Sequence, residues 1–335
     1  MTRILYSADY ELYLGENFLP ENEVLVEPTR ALLAAAERID VPFTLFVDVA
    51  CLWRYREDDD HEFPDEVETQ LKSALQRGHD VQAHLHPHWL HAERVDGRWR
   101  APLDTFLVGA LDDPAPLLAR AKGYLEELLR PVDPDYRCIA FRAGNYGIQP
   151  DYKRVFSALD ETGYKIDSSV VPGLVLKNEV NKIDFRGWRW PEKGRQIYDI
   201  YEVPIATARF GPPDAVRRFW TRPPGSESRG HTIQAMSGAR GPSFGSRVFR
   251  LDPLELGPSA YRLQKITRRY LRRAGKDADF SFSSHPKAVG DAELEALVAY
   301  HDWLDHHYDV EAVTFRGLAA RLAADRPSSA RAVRG

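Results

Sequence analysis

The sequence contains only two cysteines in 335 residues, Cys51 and Cys138, which excludes a disulfide framework and a four-cysteine zinc site. No apolar run approaches the roughly 18–20 residues that a membrane-spanning helix needs. Residues 1–9 lead almost directly into a strand-like segment, so no secretory signal peptide is expected. These absences predict a soluble, cytoplasmic protein without a transmembrane segment.

The charge is distributed unevenly along an otherwise ordinary globular composition. The net charge is −5, yet residues 217–276 contain 14 basic side chains and only three acids, Glu227, Asp252 and Glu255. This stretch is also rich in glycine, proline and serine. It indicates a solvated insertion, and the alternative is a contact with an anionic partner.

Short β-branched and aromatic runs alternate with amphipathic helical patterns through most of the chain. Strands are predicted at residues 4–11, 43–49, 80–86, 138–142 and 165–171, with further strands later in the chain. The alternation predicts an α/β fold, a distorted (β/α) barrel of about seven parallel strands. We expect one domain over residues 1–325, a basic Gly/Pro-rich insertion at about 206–277 with a helix near Ala260–Arg273, and a disordered tail at 326–335.

Five of the 11 histidines lie between His79 and His91, and three of them alternate at the end of the third predicted strand. His84 and His86 share a strand face, because alternate residues of a strand point the same way. Pro87 ends strand pairing, so His88 is expected to turn back towards His84. Two imidazoles at this spacing predict a metal site, which a carboxylate usually completes.

Other strand ends carry further polar side chains of the kind that active sites use. Asp9 and Glu11 lie two residues apart on the first strand and are candidates for the carboxylate. Arg142, Asp167 and His285 follow three later strands. Because the carboxyl ends of parallel barrel strands form one mouth, we expect all of these groups to converge there.

At these residues the sequence resembles the polysaccharide deacetylase family, the NodB-homology carbohydrate esterases. Five motifs occur in the family's order across residues 4–316, nearly the whole chain. They are the acidic pair in Ser7–Glu11, the histidines of Gly78–His88, the arginine turn Phe141–Gly147, Asp167–Ser169, and His285-Pro286. The family's usual first motif has two adjacent aspartates, whereas here the second acid is a glutamate displaced by one residue.

The resemblance implies a hydrolase that uses one divalent metal, most often zinc. His84 and His88 match the family's metal-binding histidines. Two arrangements of the acids are open: Asp9 is the base and Glu11 the ligand, which we favour, or Asp9 binds the metal and Glu11 supports it. The metal would polarise the amide carbonyl and lower the pKa of a bound water.

The resemblance also assigns the acid–base roles. Asp9 is expected to take the proton of the water, and Arg142 to hold Asp9 and keep its pKa low. His285 is expected to protonate the leaving amine as general acid, oriented by Asp167.

The expected reaction removes an N-acetyl or related acyl group from an amino sugar. Backbone N–H groups near Asn145 and Tyr146 are expected to hold the oxyanion, and His86 to line the pocket. Without a signal peptide, we expect a small acylated amino sugar or a nucleotide- or lipid-linked sugar as substrate. The basic insertion would suit such an anionic group.

Two other functions are considered. An amidohydrolase-type metal hydrolase would use a His-x-His pair, but on the first strand and with a strand-end lysine that this sequence lacks. A non-catalytic carbohydrate-binding relative would not need Asp9, Arg142 and His285 together. The aromatic residues of the basic stretch do not form a nucleic-acid-binding pattern, so no nucleic acid partner is expected.

Overall fold

The computed structural model describes residues 1–13, 20–102, 107–177, 182–188, 195–211, 250–275 and 277–325. The strands are β1 (Thr2–Tyr10), β2 (Phe43–Asp48), β3 (Asp80–Leu85), β4 (Glu93–Val95), β5 (Arg98–Arg100), β6 (Ala140–Ala143), β7 (Ile166–Asp167), β8 (Val175–Lys177), β9 (Lys182–Asp184), β10 (Arg195–Ile197), β11 (Ile200–Glu202), β12 (Thr207–Phe210), β13 (Arg250–Pro253), β14 (Asp279–Phe282) and β15 (Val310–Ala312). The α-helices are α1 (Glu27–Arg38), α2 (Val49–Glu57), α3 (Glu62–Gln76), α4 (Ala115–Leu129), α5 (Tyr152–Glu161), α6 (Ala260–Ala274), α7 (Asp291–His307) and α8 (Phe315–Ala324).

A parallel sheet forms the centre of the molecule. Its strands follow the order β10-β11-β7-β6-β3-β2-β1-β14, and β15 pairs with the start of β1. Every pairing is parallel except that of β10 with β11. A parallel bridge between Ile205 and Ser281 joins the segment after β11 to β14, so the sheet curls back on itself. The seven parallel strands from β11 to β14 in this order thus form a distorted (β/α) barrel, which confirms the predicted fold class.

Helices cover the outside of the curled sheet. Neighbouring helices pack in pairs: α2 with α3, α3 with α4, α4 with α5, α6 with α7, and α7 with α1. Strands β2 and β3 are buried along their whole length, as expected for parallel strands covered on both faces. Gly78 and Gly163 turn the chain from α3 into β3 and from α5 into β7 with φ values of +87° and +79°, where glycine is favoured.

The predicted insertion is described only in part. Helix α6 covers the predicted helix, and β12 pairs with β13 in an antiparallel ladder. Residues 212–249 and the predicted disordered tail at 326–335 lie outside the described residues. The predicted domain limits therefore stay predictions. Among the described helices, none has both the length and the apolar character required to cross a bilayer.

Candidate active site

The strand ends bring the predicted polar side chains to one mouth of the barrel. Asp9 and Glu11 lie at the end of β1, the histidines at the end of β3, and Arg142 on β6. The register aligns His84 with Arg142 on neighbouring strands. His285 follows β14, which pairs directly with β1. This edge is the one at which parallel barrels carry their active sites.

Asp9 and Arg142 form a buried ion pair. Arg142 Nη1 donates a hydrogen bond to Asp9 Oδ1 over 2.5 Å, and the Arg142 side chain has no exposed surface. The remaining guanidinium nitrogens donate to Ser168 O, Ser168 Oγ and Ser281 Oγ over 2.9–3.0 Å. Burial alone would raise the pKa of Asp9, but the charge of Arg142, with His84 and His285, outweighs it and lowers that pKa. The Asp9 carboxylate is therefore ionised at neutral pH.

Glu11, His84 and His86 form a group that could hold a metal ion. One candidate ligand atom from each of the three buried residues lies within 4.8 Å of the others. His84 Nε2 lies 3.1 Å from Glu11 Oε2, and His86 Nε2 contacts the same oxygen. Two imidazole nitrogens and one carboxylate oxygen are a donor set that zinc sites use.

The hydrogen bonding of His84 fits a cation between these groups. His84 Nδ1 lies 2.9 Å from the carbonyl oxygen of Arg142, which can only accept, so Nδ1 carries a proton. In the neutral ring, Nε2 then points a lone pair at Glu11 Oε2. Two lone-pair atoms at that distance need a cation between them, either a proton or a metal ion. Metal-binding histidines commonly donate their second ring N–H to a backbone carbonyl in this way.

His86, rather than His88, completes this group in the structure. Pro87 begins a 3-10 helix over Pro87–His91, and the His88 ring lies beside that of His86, with ring centroids 5.2 Å apart, outside the group of three. The His88 ring stacks on Trp89 with centroids 5.7 Å apart, and burial lowers the pKa of His88 to about 2. The sequence prediction gave His88 the ligand role and placed His86 in the pocket lining. In the structure His86 contacts Glu11 and His88 lies next to His86, so the ligand role of His88 stays a prediction.

Gly144 makes room for the His86 ring. A Cβ atom on Gly144 would lie 2.5 Å from His86 Nδ1, closer than real contacts allow. The next two residues, Asn145 and Tyr146, both have left-handed backbone conformations, with φ values of +52° and +58°. Such conformations cluster at functional sites when neighbouring structure enforces them. The turn predicted to bind the oxyanion therefore packs directly against His86.

His285 lies between the acids of β1 and a further carboxylate. Its Nε2 is 3.5 Å from Asp9 Oδ2 and 3.6 Å from Glu11 Oε1, and its Nδ1 is 3.0 Å from Glu255 Oε1. Burial alone would lower the pKa of His285, but the hydrogen bond and charge of Glu255, with Asp9 and Glu11, raise it. Glu255 thus occupies the orienting position that the sequence prediction gave to Asp167.

Asp167 lies deeper in the barrel and pairs with another acid. Its Oδ2 accepts from the Ser169 N–H over 2.9 Å, and its Oδ1 lies 2.8 Å from Ser169 Oγ. It also shares a hydrogen bond with Glu202 on the neighbouring strand β11. Burial raises the pKa of Asp167, and burial together with the Asp167 charge raises that of Glu202 well above its ordinary value. One proton shared between the two carboxyls satisfies this pair.

The sequence prediction missed three charged residues near the mouth. Glu255 is one of only three acids in the basic stretch, and this exception was its one signal. Lys287 follows His285 by two residues, and its Nζ lies 2.6 Å from Glu11 Oε1. Asp48 ends β2, and its Oδ1 accepts from the His86 N–H over 3.2 Å. Buried charged residues of this kind are rare unless they are paired, so their position at one mouth is informative.

The acids around the mouth outnumber the lysine and arginine side chains there. Asp9, Glu11, Asp48 and Glu255 are acids, and Arg142 and Lys287 are the basic side chains that contact them. Among these groups and His285, only Glu255 and His285 have appreciable exposed surface. With all four carboxyls ionised, the group carries a charge of −2 when the imidazoles are neutral and −1 when His285, whose pKa is raised, keeps its proton. A cation beside Glu11 would offset this negative charge. The residues present therefore fit such an ion.

Comparison with known proteins gives matches among solved structures. No family model and no curated protein matches the sequence. PuuE allantoinase is similar with a TM-score of 0.51 and 13% identity, over 97% of this chain and 91% of the allantoinase. At this identity the likeness shows the fold alone.

Deacetylases are also among the similar structures. A protein described as a polysaccharide deacetylase from Pseudomonas aeruginosa PAO1 has a TM-score of 0.48 and 12% identity, over 97% of this chain and 92% of its own. One from Mycobacterium smegmatis has a TM-score of 0.46 and 15% identity, over 89% of this chain and 77% of its own. Polysaccharide deacetylases are thus among the solved structures that resemble this chain, as the sequence motifs predict.

Proposed function

We propose that the protein is a metal-dependent hydrolase that removes an N-acetyl or related acyl group from a substrate containing an amino sugar. The observation that carries the proposal is the meeting of three units at one barrel mouth. These are the ion pair of Asp9 and Arg142, the pair of His285 and Glu255, and the group of Glu11, His84 and His86.

Glu11, His84 and His86 would hold the divalent ion. Zinc is the proposed metal because imidazole and carboxylate ligands suit it. When bound, such an ion polarises the amide carbonyl and makes a coordinated water more acidic. This ligand set uses the first of the two arrangements open from the sequence, with Asp9 left to act on protons.

The protein's own groups supply the acid and the base. Asp9, held ionised by Arg142, would accept a proton from the attacking water. His285, whose pKa Glu255 raises, would donate a proton to the departing amine, which is a poor leaving group without it. Neighbouring groups with pKa values pushed apart are typical of an acid–base pair. Arg142 and Glu255 fix the geometry of the two.

The substrate class is proposed from the sequence resemblance and from charge. An acylated amino sugar, free or linked to a nucleotide or lipid, suits the fold shared with deacetylases. The exposed cations Arg268, Arg272 and Arg273 lie in the second half of α6, which leads into the start of β14 at the edge opposite the mouth, so the anionic linked group is proposed from the sequence alone. The allantoinase likeness makes a small non-sugar amide the second candidate.

The test is a screen for release of acetate or ammonia. The panel holds N-acetylated amino sugars, chitin oligomers, a nucleotide-linked N-acetyl sugar and a small cyclic amide, each with and without chelator. We expect acetate release from an amino sugar that chelator abolishes and zinc restores. Asp9→Asn and His285→Asn should lower kcat about 10²-fold or more, whereas His91→Ala, on the exposed end of the 3-10 helix, should not. Release that is unaffected by chelator and by both variants would reject the proposal.

A further inference from the structure

Lys287 is a buried lysine whose ammonium contacts the candidate metal ligand Glu11. Its Nζ donates to Glu11 Oε1 over 2.6 Å and to the carbonyl oxygen of Leu12 over 2.9 Å. Only about a tenth of its side chain is exposed. The Tyr13 hydroxyl donates to the Lys287 carbonyl oxygen over 2.9 Å, which fixes the backbone of this residue. Lysine is seldom buried without such a partner.

These contacts divide the two oxygens of Glu11 between different partners. Oε1 accepts from Lys287, whereas Oε2 faces His84 and His86. An ion placed between the histidines would meet Oε2, whereas Oε1 already accepts from the ammonium, whose positive charge opposes a second cation on that oxygen. Glu11 is thus presented to the histidines through one oxygen only.

We propose that Lys287 is a positioning residue that restricts Glu11 to one-oxygen metal ligation and weakens the affinity of this site for divalent cations. The inference rests on the proposed metal-dependent function. Charge gives the direction of the effect on affinity. An ammonium beside the carboxylate withdraws negative charge from the ligand and repels a second cation, and both effects oppose metal binding in a poorly solvated site.

Zinc affinity provides a readout that does not depend on turnover. Competition with a chromophoric chelator would give the zinc Kd of the wild type, Lys287→Met, Lys287→Arg and Lys122→Met. Lys122 is a suitable control because it is another partly buried lysine, and it donates to the Cys138 carbonyl oxygen just before the start of β6, whereas Arg142 and the mouth lie towards the other end of that strand. Circular dichroism would establish that each variant is folded.

The methionine variant should bind zinc at least about tenfold more tightly than the wild type, because the opposing charge is gone. Lys287→Arg, which keeps the charge, and Lys122→Met should stay within about threefold of the wild type. If the wild type binds zinc and Lys287→Met binds it equally or more weakly, the Lys287 proposal is wrong while the proposed function stands. If the wild type binds no zinc, both are wrong.

A second measurement covers the case in which Lys287→Met does not fold. In a crystal structure of the zinc-loaded wild type, Glu11 should ligate through Oε2 alone at about 2.0–2.2 Å, with Lys287 still on Oε1. Ligation through both oxygens, or an ammonium displaced from Glu11, would overturn the proposal.

Discussion

Replacing Arg142 by methionine tests the buried ion pair that organises the centre of the mouth. The guanidinium is fully buried and donates to Asp9, to both Ser168 oxygens and to Ser281. It also lies over the Phe46 ring, with Cζ 4.2 Å from the centroid. Methionine keeps much of the apolar stem but leaves Asp9 without its nearest cation. The variant should therefore be strongly destabilised.

The expected loss follows from the charge that remains buried. Removing one partner of a buried pair costs about 3–5 kcal/mol, because the other charge stays uncompensated. The lost hydrogen bonds to Ser168 and Ser281 place Arg142→Met towards the upper end, at about 4–5 kcal/mol near neutral pH. In the double variant Asp9→Asn/Arg142→Met neither side chain leaves an unpaired buried charge. Its loss of unfolding free energy should be smaller than the sum of the losses of the two single variants by about 2 kcal/mol or more.

The loss should also depend on pH. In the wild type the pKa of Asp9 is lowered, so its contribution to stability is present above about pH 4 and is lost as pH falls through the folded-state pKa. Without Arg142, burial raises that pKa, and the native state keeps a proton that the unfolded chain releases. The difference between wild type and variant should then grow with pH, by up to about 1.4 kcal/mol per pH unit.

Urea unfolding followed by tryptophan fluorescence and circular dichroism, with chelator present, measures these differences. Arg154→Met is the control, because the Arg154–Asp151 pair is well exposed and should contribute less than about 1 kcal/mol. A loss for Arg142→Met below about 1.5 kcal/mol, or one that shrinks as pH rises from 5 to 8, would refute this reasoning.

Three further predictions concern neighbouring residues. Gly144→Ala should lower the free energy of unfolding by about 1–3 kcal/mol and weaken zinc binding, because its new methyl group would displace the His86 ring. Urea unfolding measures the first effect and chelator competition the second. The raised pKa of Glu202 makes the stability of the wild type fall as pH rises above about 4.3, because the native state keeps a proton that the unfolded chain releases. Glu202→Gln removes this titration, so the variant should be more stable than the wild type at pH 8 and about equally stable at pH 4. Glu255→Gln should lower kcat about 10- to 100-fold with little change in KM, and should move the alkaline limb of the pH profile to lower pH, because Glu255 raises the pKa of His285.

Each of these variants has a control in the same chain. Gly123→Ala places a methyl group on α4 where no atom lies within 4 Å, and it should not weaken zinc binding. Glu161→Gln and Glu93→Gln alter exposed acids and should leave the pH profiles of stability and of kcat unchanged. Unaltered zinc affinity in Gly144→Ala, parallel stability profiles for Glu202→Gln, or an unshifted rate profile for Glu255→Gln would contradict the corresponding argument.

Periodicity and strand ends made the barrel predictable. Near-continuous apolar runs such as Phe43–Val49 identified buried parallel strands, and the helix around 260–273 was visible from its spacing even inside a polar stretch. Helix α2 was not predicted, because its residues follow β2 directly and no turn residue separates the two. Parallel strand order then brought distant motifs to one mouth, as expected from strand direction alone.

The identity of individual contacts was less predictable. Strand alternation correctly put His84 and His86 on one face, but whether the chain after Pro87 turns back or continues as a 3-10 helix depends on tertiary packing around Trp89. Glu255 reaches His285 through a bridge between Glu255 and Ser283 that no local pattern encodes. Long-range pairs of this kind require the fold before they can be identified.

Anomalous diffraction at the zinc edge, on crystals of the zinc-loaded protein, tests the central claim most directly. The account predicts a single strong peak at the barrel mouth, about 2.0–2.2 Å from His84 Nε2, His86 Nε2 and Glu11 Oε2. A peak bound by His88 in place of His86, a peak away from Glu11, or no peak at this mouth would contradict it.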